Sequence, residues 1–208
     1  MPRVARQVAD GGVYHILNRG NGQQRVFHKD GDYLGFVDLL RQMGLNYGIQ
    51  LFAYCLMPNH FHLLVKAGEG ADLCRGMQWF TTTHVRRYHR HYRSSGHLWQ
   101  GRYKSFGIED DEHLLTVARY IEGNPVRAAL VDTAADWVWS SHRERCGLER
   151  NSMLSPLPVA IEADWSRYVD TPLTGREVAK VRKQIERQTR GRGLAPQVPV
   201  PVGGEVSG

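Results

Sequence analysis

The chain has 208 residues, 41% of them hydrophobic, with a formal net charge of +6 and a pI near 9.4; that suits one domain with its own core plus an extension, and a polyanionic partner. Three widely spaced cysteines, Cys55, Cys74 and Cys146, argue against a disulfide framework or a zinc ribbon and fit a reducing compartment. No apolar run of about 18 residues is present and the N-terminus lacks the apolar segment of a signal peptide, so a soluble cytoplasmic protein is expected.

Residues 13–19 alternate like a strand and run into the turn signal Gly20-Asn21-Gly22. A helix follows, capped by Asp30 or Asp32, with Tyr33, Leu34, Phe36, Val37, Leu39, Leu40, Met43 and Leu45 as its apolar stripe and Gly48 at its end. Residues 49–57 and 60–66 read as a hairpin of two strands around Pro58-Asn59. A long helix is predicted over 72–92, with Leu73, Met77, Phe80, Val85 and Tyr88 on its buried side. Residues 102–108 form a fourth strand, and Glu109-Asp110-Asp111-Glu112 opens a helix that stops at Gly123-Asn124-Pro125.

The order βαββαβ predicts an α+β, ferredoxin-like antiparallel sheet with two helices on one face and the other face left for function, followed by the helix after the fourth strand. Residues 137–142 read as a packing segment that closes a domain spanning 1–150. Beyond it, 151–208 form a basic, partly helical extension. Seven basic residues meet two acids between Arg176 and Arg192, which suits a phosphate backbone or a solvated helix equally. The Gly, Pro and Val-rich residues 190–208 are expected to be disordered.

Chemistry concentrates in Met57-Pro58-Asn59-His60-Phe61-His62-Leu63-Leu64-Val65. Strand alternation puts His60 and His62 on one face, about 7 Å apart, and Phe61, Leu63 and Val65 on the other. Two imidazoles so placed can hold one divalent cation, or can be ordinary hydrogen-bonded histidines. A second feature is the stretch 73–108, which has no acid but carries Arg75, Arg86, Arg87, Arg90, Arg93, Arg102 and Lys104 among seven aromatic residues. Cations that neutralise phosphates, interleaved with rings on which bases stack, suit single-stranded nucleic acid. Trp79, Phe80 and Phe106 are assigned to the core. Third, Tyr120 and Asn124 are four residues apart and share a helix face if the helix persists. Tyr120 is then a nucleophile candidate or a core tyrosine, and Asn124 a third metal ligand or the N-cap of a helix starting at Pro125.

Four motifs in one order, Tyr14-His15-Ile16-Leu17-Asn18-Arg19-Gly20-Asn21, Met57 to Leu64 as quoted, Arg119-Tyr120-Ile121-Glu122-Gly123-Asn124-Pro125-Val126-Arg127-Ala128 and Trp139-Ser140-Ser141, resemble the REP-associated tyrosine transposases. These belong to the single-tyrosine, insertion-sequence type within the HUH endonuclease superfamily, and the resemblance spans about residues 13–145. It implies that His60 and His62 hold one Mg²⁺ or Mn²⁺, with Asn124 where relatives use a glutamine or asparagine. It also implies that Tyr120 attacks phosphorus to give a 5′-phosphotyrosine and a free 3′-hydroxyl, on single-stranded DNA next to a palindromic hairpin. Arg86, Arg87, Arg90, Arg102 and Lys104 are the candidates for DNA-backbone contact, followed by Arg19 and Arg127. A monomer acting on the bacterial nucleoid is expected. The rival readings are a hydrolytic nuclease that attacks with metal-bound water, a non-catalytic hairpin-binding protein, and a structural zinc site that adds Cys55 to the two histidines.

Overall fold

The computed structural model describes residues 8–150 and 153–190; the C-terminal segment expected to be disordered lies, after Arg190, outside the described residues. In chain order the elements are β1 (Val13–Arg19), α1 (Asp30–Tyr47), β2 (Ile49–Met57), β3 (His60–Ala67), α2 (Gly70–Tyr92), β4 (Lys104–Gly107), α3 (Asp111–Glu122), α4 (Asn124–Arg127), α5 (His142–Arg145), α6 (Trp165–Asp170) and α7 (Gly175–Arg190). The four strands form one sheet in the order β2-β3-β1-β4, antiparallel throughout. This is the expected ferredoxin-like arrangement.

Strand alternation sorts the sheet into two apolar faces. Ile16 of β1 and Phe61, Leu63 and Val65 of β3 meet Phe36, Leu39 and Met43 of α1 and Leu73, Met77 and Phe80 of α2. The stripe predicted for α1 is narrower than its sequence suggests. Leu34 and Leu45 are 60% and 79% exposed, because α1 rests on the sheet and α2 along a single line. Its start differs too: Asp32 accepts from the backbone N–H groups of His28 and Lys29 at 2.8 and 3.2 Å, so the acid reaches back from the first turn rather than standing before it.

The opposite face is not left bare. Val117, Ala118 and Ile121 of α3 pack there on Val13, Phe52, Cys55 and Leu64. Trp165 and Val169 of α6 and Val181 of α7 join the same cluster, so the segment after residue 150 helps to seat α3. Arg119 of α3 adds polar ties to it, donating to the Thr171 carbonyl at 2.7 Å and pairing with Glu177 at 3.2 Å. Its guanidinium also lies 4.3 Å from the ring centre of Tyr168. The outer edge of β2 is closed by the segment around Trp139. Leu56 N–H donates to the Trp139 carbonyl, Ser141 N–H to the Tyr54 carbonyl, both at 2.9 Å, and Trp137 Nε1 to the Leu56 carbonyl at 3.0 Å.

At the C-terminal end of α3, Glu122 has no exposure to solvent. Its carboxylate accepts from Ser141 Oγ at 2.6 Å, Trp165 Nε1 at 2.7 Å, Arg145 Nε at 2.9 Å and His142 Nδ1 at 3.2 Å. Burial raises the carboxyl pKa, but the bonds from His142, Arg145, Ser141 and Trp165 outweigh it and hold Glu122 at about 2. Burial likewise lowers His142, yet Cys146 and Glu122 together hold its imidazole up at about 9, with Ser166 Oγ at 3.2 Å on its other nitrogen. Removing one partner of a buried pair leaves the other charge uncompensated, so Glu122→Gln is expected to cost about 3–5 kcal/mol in chemical denaturation. Because His142 titrates near 9 when folded and near 6.5 when unfolded, the stability it supplies is complete below pH 6.5 and is lost as pH rises through 9. Denaturation midpoints across that interval should fall in wild type and change less in His142→Gln.

Candidate active site

The register of the sheet assembles the site. On the face covered by α3, His62 lies opposite Leu17 of β1 and Cys55 of β2, and Lys104 of β4 lies on the far side of Leu17. In the next row Arg19 lies opposite His60, which lies opposite Met57. His60 and His62 therefore share a face, as alternation predicts, with ring centroids 5.1 Å apart. Their surroundings differ from the open face expected for them. His60 is half-buried at the strand end, whereas His62 is only 4% exposed, lying beneath α3.

Each histidine is anchored through Nδ1. His60 Nδ1 lies 2.6 Å from Asn59 Oδ1, and the Asn59 amide is oriented by its own Nδ2, which donates to the Gln23 carbonyl at 3.1 Å. An amide oxygen only accepts, so His60 is protonated on Nδ1 and its Nε2 carries a lone pair. His62 Nδ1 lies 2.9 Å from Nε2 of His15, a buried residue of β1 whose ring lies nearly coplanar with that of His62, centroids 5.1 Å apart. Burial, reinforced by the Arg19 charge, pulls His60 down to about 4. Burial and then the neighbouring His60, His15, Arg127 and Arg19 hold His62 well below its usual range. Both are neutral imidazoles near pH 7, the form that binds a cation.

Tyr120 comes from the last turn of α3. Its ring is packed edge-on against His62 and His15, with centroids 5.9 and 6.3 Å away. The guanidinium of Arg127 lies 4.1 Å from the Tyr120 ring centre and also donates to the Tyr120 carbonyl. The helix does not persist to Asn124 as one rod: α3 ends at Glu122, Gly123 intervenes and α4 begins at Asn124. At this joint a Cβ on Gly123 would stand 3.1 Å from the Arg119 carbonyl oxygen and from Arg127 Nη1, so a larger residue there would require both neighbours to give slightly. Asn124 is buried, and its Nδ2 has no hydrogen-bond partner among the described residues. Turning the amide would put its oxygen in that place. Imidazole nitrogens and an amide oxygen are donor types that suit a divalent cation completing its shell with substrate oxygens, while no group of three or more His, Cys, Asp or Glu that could hold a metal ion occurs among the described residues. Cys55 is placed on the same face by its pairing with His62, but its Sγ is turned to Met57 Sδ at 3.7 Å and burial pushes the thiol pKa up.

The cations fall into two groups. Arg19, Lys104 and Arg127 belong to the face that carries His60, His62 and Tyr120. Arg86 and Arg102 line a cleft of about 1000 Å³ between α2 and residues 96–103, together with His97, Trp99 and Tyr103. Arg87 pairs with Asp38 at 3.3 Å, and Arg90 is exposed on the same helix. Of the rings expected to stack on bases, Trp99 and Tyr103 are 6% exposed and belong to the core. The sequence reading missed His15 and the Glu122 cluster, whose partners are distant in sequence; only the alternation that puts His15 on the covered face of β1 pointed to the former.

Residues 9–124 match the family described as IS200-like transposases, a match over more than half of the chain. The chain belongs to this transposase family. It is 31% identical over 157 residues to a Haemophilus influenzae chain named as a REP-associated tyrosine transposase, covering 69% of this chain and 88% of that one. This places it among the REP-associated tyrosine transposases, DNA endonucleases and strand transferases by class. A solved REP-associated tyrosine transposase bound to a REP hairpin shares the fold, with a TM-score of 0.58 at 18% identity over 84% of this chain and 96% of that one. Within this transposase Arg127 clasps the nucleophile candidate, and Arg127→Ala is expected to lower stability by about 1 kcal/mol through loss of the ring contact and the carbonyl bond. Urea denaturation of wild type and variant measures the difference.

Proposed function

We propose that this transposase cuts and rejoins single-stranded DNA beside palindromic, REP-like hairpins, with Tyr120 as the nucleophile. The observation that supports this most directly is the packing of the Tyr120 ring against His62 within one chain, on the face that also carries His60. The Tyr120 oxygen attacks phosphorus and the bond from phosphorus to the 3′-oxygen breaks. The tyrosine gives up its proton, the leaving 3′-oxygen gains one, and the 5′ end stays on the enzyme as a phosphotyrosine. Since the phosphodiester is exchanged rather than hydrolysed, a 3′-hydroxyl can later displace Tyr120 and rejoin a strand without ATP.

His60, His62 and Asn124 are the residues that would hold Mg²⁺ or Mn²⁺. Bound there, such a cation polarises the scissile phosphate and offsets its developing charge. Arg127 keeps the Tyr120 ring in place, while Arg19 and Lys104 are positioned to meet flanking phosphates and Arg86, Arg87, Arg90 and Arg102 the strand further away. Hairpin DNA as partner is supported by the REP hairpin on the solved relative. The catalytic groups all fall within residues 1–150; the basic extension of 151–208 adds cations, and its helices α6 and α7 support α3. We further infer a monomer that acts on DNA in the bacterial cytoplasm, because its own chain supplies both Tyr120 and the histidines.

Labelled single-stranded hairpin DNA incubated with Mg²⁺ or Mn²⁺ and resolved on a denaturing gel provides the test. Wild type should form a protein–DNA adduct that depends on the metal, and Tyr120→Phe should form none. Cleavage without an adduct in both proteins would identify a hydrolase, and binding without cleavage a hairpin-binding protein.

A further inference from the structure

His15 is a buried polar residue to which the mechanism above gives no part. It is 1% exposed and lies between His62, Phe106 and Tyr120, with ring centroids 5.1, 5.9 and 6.3 Å away. Its Nε2 shares a hydrogen bond with His62 Nδ1, and its own Nδ1 is buried without a partner among the described residues. With the ring planes only 24° apart, the bond joins the two rings edge to edge. On the adjacent ligand ring the same job is done by Asn59, whose oxygen takes the Nδ1 proton of His60 and leaves Nε2 bare.

We propose that His15 is the positioning residue for His62: it accepts the His62 Nδ1–H and so presents the lone pair of His62 Nε2 toward the cation. This rests on the reading of His60 and His62 as metal ligands. A ligating histidine needs an acceptor on its other nitrogen to fix both tautomer and ring plane, and the register of β1 on β3 puts an imidazole there in place of the commoner carboxylate or carbonyl. The choice has a chemical consequence. Two neutral imidazoles sharing one hydrogen bond have two arrangements. If His15 donates from Nε2, His62 must carry its own proton on Nε2 and cannot bind a cation. If His62 donates from Nδ1, its Nε2 is bare and His15 carries a proton on its unpartnered Nδ1. Both arrangements hold two protons, so moving between them changes no net charge: one proton crosses the shared bond, one leaves His62 Nε2 and one arrives at His15 Nδ1. The unpartnered N–H disfavours the ligating arrangement, and cation binding favours it. The cation and the His15–His62 tautomer are therefore linked.

The test uses the full chain and Mn²⁺ alone, with free Mn²⁺ followed by electron paramagnetic resonance, in wild type, His60→Ala, His62→Ala, His15→Phe and His15→Gln. His15→Phe keeps an aromatic ring but removes the acceptor, and should weaken Mn²⁺ binding about 10- to 100-fold. His15→Gln restores an acceptor oxygen and should recover most of that loss. Nitrogen-15 histidine spectra give a readout independent of catalysis: His62 should be protonated on Nε2 without metal and on Nδ1 with saturating Mg²⁺. Wild-type Mn²⁺ affinity in His60→Ala and His62→Ala would remove the metal-site reading itself. Loss in those two with wild-type affinity in His15→Phe would overturn the role of His15 alone, as would equal losses in His15→Phe and His15→Gln when both keep the wild-type circular dichroism spectrum.

Discussion

Glu122 is a carboxylate with no contact with water, and it stays ionised because four donors from two separate stretches of chain converge on it. The desolvation cost of such a charge is several kcal/mol, so its partners cannot drift apart without exposing a large penalty. Ser141, His142 and Arg145 bring the segment that closes the β2 edge, and Trp165 brings α6. Two residues before Glu122 stands Tyr120, and two after it Asn124. The position of Tyr120 over His62 is thus fixed by a buried ion cluster as well as by apolar packing, which by itself would tolerate some sliding of α3 on the sheet.

The face of β3 on which the histidines lie was legible because alternation has a period of two and Phe61, Leu63 and Val65 are unambiguous. What covers that face was not. A strand pattern states which side chains share a side and is silent on whether a later helix returns to it; the apolar residues of α3 would look the same had they packed elsewhere. The pairing of His15 with His62 depends on the β1–β3 register, fixed only when both strands meet. The stacking of Arg127 on Tyr120 depends on the break at Gly123, which a continuous helical projection would misplace. The aromatic stretch misled in a different way: Trp99 and Tyr103 are spaced among arginines as in a nucleic-acid surface, yet the surrounding loop folds their rings inward while Arg86 and Arg102 remain along the cleft.

Around the histidines the electrostatics are arranged by exclusion. Arg19 and Arg127 stand beside His60 and His62 and, with burial, keep them uncharged, while Lys104 is itself pulled down by burial and by Arg19. A cluster of positive charge that holds its own imidazoles neutral has little to gain from more protons and much to gain from an anion. Substrate phosphate would relieve the mutual repulsion of these groups. Attraction for an anion and retention of neutral imidazoles are consequently two expressions of one charge distribution.

The closed edge of β2 bears on assembly. Sheets recruit further strands through unpaired backbone groups at their margins, and on this side the groups at Tyr54 and Leu56 are already taken by residues of the same chain. Another copy, or a peptide in extended form, finds no ladder to continue there. Any lengthening of the sheet across molecules must start from the opposite margin, where β4 offers four residues.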